Sequence, residues 1–79
     1  MSLPLPVDGF WVSTVTLPAS REGEQWCGHW FIYSQRPDLE ENADALPLFE
    51  GSTGPYDDER EAERAAKMAG RRRAQAMAT

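Results

Sequence analysis

The run QWCGHWFIYS, residues 25–34, decides the fold. It holds Trp26 and Trp30, the only cysteine (Cys27) and the only histidine (His29). Aromatic and β-branched residues at this density suit a pleated strand. One face of that strand carries Trp26, Gly28, Trp30 and Ile32; the other carries Cys27, His29, Phe31 and Tyr33. A strand with one wet face alternates apolar and polar residues. Here both faces are bulky, so both need cover. Gly28, set between two tryptophans, leaves room for a neighbouring ring or a bulge.

Upstream, residues 9–17 (GFWVSTVTL) read as the first strand, with Trp11, Ser13, Val15 and Leu17 on one face and Phe10, Val12, Thr14 and Thr16 on the other. The polar connection 19–24 has the length of a hairpin loop, so the two strands pair antiparallel. Residues 1–8 read as an extended arm, because Pro4 and Pro6 fix φ and remove backbone donors. Downstream, residues 35–45 form an acidic loop with room for one helical turn near Leu39. Residues 46–50 (LPLFE) form a short third strand suited to an edge, and residues 51–55 (GSTGP) read as a turn.

The helix is expected over residues 57–76. Asp58 is a suitable N-cap with Glu61 three residues on. Acids crowd the first turns, and Lys67, Arg71, Arg72 and Arg73 crowd the last, the polarity that the helix dipole favours. Ala62, Ala65, Ala66, Ala69, Gly70, Ala76 and Met77 share a stripe of mostly small residues. A stripe so shallow lets the helix lie close to the sheet and leaves the volume to be filled by tryptophans. Arg73 interrupts the stripe, so the last turn is expected to overhang or fray. The expected fold is α+β: a three-stranded antiparallel sheet in β-β-β-α order, with the C-terminal helix on one face.

Residues 1–79 make one small domain. A chain of this length buries only about 60% of the surface its unfolded form exposes, so disulfides, metal or self-association usually add stability. One cysteine allows no internal disulfide, and one cysteine with one histidine falls short of a structural zinc site. The formal charge is -5, with the bases concentrated after residue 66. That balance disfavours generic attraction to nucleic acid or anionic membranes. No apolar run reaches membrane-spanning length. A free cysteine and no basic, apolar leader give the cytoplasm as the expected compartment.

GFWVSTVTL, the aromatic second strand and YDDEREAERAAKMAGRRRAQ together resemble a class of small bacterial proteins of unknown function, with three strands followed by one helix. The matching positions are Tyr56, Asp57, Asp58, Glu61, Ala62, Gly70 and Arg71. The resemblance implies the fold and supplies no activity.

Catalytic, metal and cofactor sites are not expected. Cys27 and His29 share a strand face, but a nucleophilic site also needs an orienting group and an oxyanion hole. The GSTGP turn before the helix lacks the lysine and spacing of a P-loop, and Asp57, Asp58 and Glu59 would repel a phosphate. Two classes stay in play. One is an interaction or structural module, a homodimer joined through the sheet face that holds Trp11, Phe31, Tyr33, Cys27 and His29, with room for an unidentified protein partner. The other is a nucleic-acid binder using the helical stripe Arg60, Arg64, Lys67 and Arg71, partly neutralised by Glu63.

Overall fold

The computed structural model describes residues 3–22, 24–42 and 44–78. Its elements are β1 (Leu5–Val7), β2 (Phe10–Pro18), β3 (Trp26–Tyr33), a 3-10 turn (Glu40–Asn42), β4 (Phe49–Tyr56) and α1 (Glu59–Ala78). The sheet is an antiparallel meander in the order β1-β2-β3-β4, and α1 crosses one face of it.

The sheet has four strands rather than three. Part of the expected arm is β1, folded back on β2 with Val7 opposite Phe10 and Leu5 opposite Val12. The cause is the dipeptide between them. Asp8 (φ 48°) and Gly9 (φ 90°) both take positive φ, the conformation of a two-residue hairpin turn whose twist matches its strands. Pro6 faces Trp11 one step from the turn-flanking pair, and at an outer strand its missing N–H removes an edge donor without breaking the ladder.

The third strand is also longer and later than 46–50. β4 runs through GSTGP, which carries turn-type residues for packing reasons. A Cβ at Gly51 would lie 2.3 Å from the Trp30 ring, so the glycine makes the bed on which that indole rests. Further along, Gly28 faces Thr53 while Trp26 faces Tyr56, so β4 holds one extra residue in a bulge. Gly54 sits in that bulge with φ 115°, where a side chain would be strained.

Asp58 caps α1: its carboxylate accepts the Arg60 N–H at 3.0 Å, and its carbonyl accepts the Ala62 N–H at 3.1 Å. The buried line of the helix is Ala62, Ala66, Gly70 and Ala74, a strict repeat of four. Ala74, outside the expected stripe, is fully buried, whereas Ala76 is exposed. Arg73 does not break the packing. Its guanidinium lies 4.5 Å from the centre of the Phe49 ring, and the helix continues to Ala78 with Met77 against the core.

The covered face is the one with Gly28, Trp30 and Ile32. A Cβ at Gly28 would sit 2.2 Å from the Ala62 carbonyl oxygen and 2.8 Å from the Ala66 Cβ. The space left by Gly28 therefore admits the helix itself. One turn and more along, Gly70 lies over Val12 and the Cβ of Trp30, and Ala74 closes the cluster of Val7, Val12 and Ile32, with Phe10, Trp30 and Met77 around it.

Gly28→Ala is therefore expected to destabilise the fold by about 1–3 kcal/mol through overpacking against helix backbone. Asp58→Ala is expected to cost about 1 kcal/mol through the lost cap. Urea denaturation followed by circular dichroism measures both; equal midpoints for Gly28→Ala and the parent would contradict the close approach.

Candidate functional site: the helix-free sheet face

Period-two alternation puts the partners of the covered residues on the opposite face. Trp11, Ser13, Val15 and Leu17 of β2 lie beside Tyr33, Phe31, His29 and Cys27 of β3 in direct cross-strand register. Glu50 and Ser52 of β4 continue the row, opposite Phe31 and His29. All five residues expected at a self-association surface, Trp11, Cys27, His29, Phe31 and Tyr33, thus share one face, and α1 is on the other. Val15 and Leu17 join them and are 40% and 49% exposed.

One end of this face has a local cover. The chain leaving β3 turns back so that the Arg36 guanidinium stacks 5.3 Å from the centre of the Trp11 ring. Arg36 is held there by Asp38, whose Oδ1 accepts from Nε at 2.6 Å. Pro37 and Asp38, with Leu3 and Pro4, border a hollow of about 360 Å³ floored by Ser13, Val15 and Tyr33. The arm and the acidic loop therefore border the face from Trp11 and Tyr33 as far as Val15, while Leu17 and Cys27 lie towards the open end.

Toward β4, a shallower hollow of about 290 Å³ is lined by His29, Phe31, Glu50, Gly51 and Ser52. Sequence spacing did not join Ser52 or Glu50 to His29, because the segment 51–55 read as a turn; the strand register brings them together. Among the described residues no hydrogen bond links the three side chains, and a serine nucleophile works only when its base is within hydrogen-bond reach. Nor do three or more His, Cys, Asp or Glu side chains gather at metal-binding range among the described residues.

The basic stripe lies elsewhere. Arg60, Arg64, Lys67 and Arg71 are all exposed on α1. Lys67 pairs with Glu63 one turn back, Nζ to Oε1 at 3.4 Å. Arg71 borders a hollow of about 240 Å³ with Leu5, Pro6, Val7, Asp8 and Gln75. The stripe is on α1, and the row from Trp11 to Leu17 is on the sheet face opposite α1.

No family model matches the chain, and no curated protein or solved structure matches it. No helix among the described residues is long and apolar enough to cross a membrane.

Arg36→Ala removes the cation over Trp11 and the anchor for Asp38. It is expected to lower stability by about 0.5–1 kcal/mol and to increase quenching of tryptophan fluorescence by acrylamide. Unchanged quenching would mean that the loop does not shield Trp11.

Proposed function

We propose that the chain is a non-enzymatic interaction module, built to associate with a second copy of itself through the helix-free sheet face. The observation that carries this reading is the row Trp11, Val15, Leu17, Phe31 and Tyr33, large apolar side chains on a face with no helix over it. The core beneath α1 is thin by comparison: its largest fully buried side chains are Ile32 and Val12. A small domain with so little enclosed apolar volume gains by covering this face, where Val15 and Leu17 are exposed and Trp11, Phe31 and Tyr33 half-buried.

One strand of three residues, one of nine and two of eight, at about 3.3 Å per residue and about 4.8 Å between strands, cover roughly 400 Å² in projection, which puts a pairing through this face at the small end of protein interfaces. The charges beside this face are few, and Arg36 and Asp38 already neutralise each other. A twofold pairing suits a patch of this kind, since each copy presents the same surface to the other. The resemblance to small bacterial proteins adds the fold and no activity.

A second reading, nucleic-acid binding, is favoured by the exposed stripe Arg60, Arg64, Lys67 and Arg71 on α1. Against it stand the formal charge of -5 and the Glu63 partner of Lys67.

Sedimentation equilibrium at tens of micromolar is expected to give a dimer that persists at high salt, because its seam is apolar. Val15→Asp with Leu17→Asp is expected to yield a folded monomer and to expose Cys27 to thiol reagents. Arg64→Ala with Lys67→Ala and Arg71→Ala is expected to leave the dimer intact. A monomeric parent would refute the self-association reading. Salt-sensitive binding of labelled RNA or DNA, lost in the triple variant, would establish the second.

A further inference from the structure

We propose that the outer edge of β4 pairs antiparallel with the same edge of a second copy, in a register centred on Gly51, so that two four-stranded sheets become one. This contact is separate from the sheet face and does not depend on whether that face self-associates. The two edges of the sheet are built differently. β1 and β4 are its outer strands. β1 has three residues, with Pro6 inside it and Pro4 just before it. A short strand with missing donors is a poor template for another chain. β4 has eight residues. From Phe49 to Thr53 it pairs with β3 without a break, and this run contains no proline, lysine or arginine. An antiparallel strand spends the N–H and C=O groups of alternate residues on its neighbour, so β4 turns the others outward along this run. Phe49, Glu50 and Ser52 are exposed. The bulge with Gly54, and Pro55 after it, close the run at its far end.

The run is complementary to itself in one register. Paired residues of antiparallel strands share a face, so a twofold axis between two copies of β4 passes beside a residue and not between two. Beside Glu50, it would set two carboxylates directly opposite each other, which repels. Beside Ser52, it would carry the pairing into the bulge, with Glu50 opposite Gly54 and Phe49 opposite Pro55. Centres further out run deeper into the bulge or into the connection before β4. Beside Gly51, every pair stays within the regular run. Phe49 then lies opposite Thr53, an aromatic ring beside a β-branched side chain, and Glu50 lies opposite Ser52, a carboxylate beside a hydroxyl.

The same axis keeps the two faces of the sheet apart. Two copies joined in this way carry both α1 helices on one side and both rows from Trp11 to Leu17 on the other. The helix-free surface is thereby doubled without a break in the strands.

A contact this short is transient at tens of micromolar, so covalent trapping tests it. In a Cys27→Ser background, Glu50→Cys protein is mixed with Ser52→Cys protein in a glutathione redox buffer. The register sets the two new thiols opposite each other across the pair. In either variant alone they are diagonal, about 7–8 Å apart, beyond disulfide reach. The mixture is expected to give at least about tenfold more covalent dimer than either variant alone, with mass spectrometry placing the link between residue 50 of one copy and residue 52 of the other. Val15→Asp with Leu17→Asp, added to both proteins, is expected to leave the yield unchanged, because those residues are on the face and not on the edge. Glu50 and Ser52 are exposed, so both variants are expected to keep the parent circular dichroism spectrum. Three results would overturn the proposal: no covalent dimer, equal yields from the mixture and from the single variants, or a yield lost with the two face substitutions, which would move the contact to the sheet face.

Discussion

The backbone of α1 touches the sheet at Gly28. Everything else in the packing follows from how close that approach is. With Ala62 and Ala66 set directly over a residue without a side chain, helix and sheet are nearer than two side-chain layers would allow. The covered core must then be filled from the flanks. Trp30 does this on one side, its ring laid on Gly51 and its Cβ against Gly70. Val12, Ile32 and Ala74 fill the other. Glycine and alanine are poor sources of burial energy, but here they let two backbones share a boundary, so that a few larger groups enclose the rest.

The same constraint separates the two sides of the molecule. A narrow contact line down α1 buries small residues and one row of the sheet. It leaves the second row, Trp11 to Leu17 and Cys27 to Tyr33, on the far side of the strands. The loop after β3 reaches one end of that row through Arg36 and Pro37, and stops there. The chain thus divides its aromatics between two faces: Trp30 lies under α1, while Trp11, Phe31 and Tyr33 lie half-buried on the face that α1 does not reach.

Much of this was legible in the residues. The helix start was written in Asp58 and the acids after it, the central hairpin in two strands dense with β-branched and aromatic residues, and the two-faced character of β3 in its lack of alternation. What could not be read depended on neighbours distant in sequence. Gly51 resembles a turn residue until Trp30 is placed on it. Ala74 follows Arg73, a charge that seemed to end the stripe until Phe49 supplied an aromatic face for the guanidinium. The Asp8–Gly9 hairpin was a local signal, masked by the prolines around it, which suit an outer strand as well as an unpaired arm. On the candidate site, alternation alone put Trp11, Cys27, His29, Phe31 and Tyr33 in two rows, and only the strand register set those rows side by side with Ser52 and Glu50.

The order of elements carries a consequence for synthesis. Each strand pairs with its sequence neighbour, so the meander can assemble as the chain emerges. The cover for Trp30 and Ile32, however, comes from the last twenty residues of the described chain. Without α1 the face with Trp30 and Ile32 has no cover, and a chain that has its strands but not its helix exposes apolar surface on both sides of the sheet. Loss of the C-terminal segment by proteolysis or a premature stop would release the same sticky intermediate instead of a smaller folded domain.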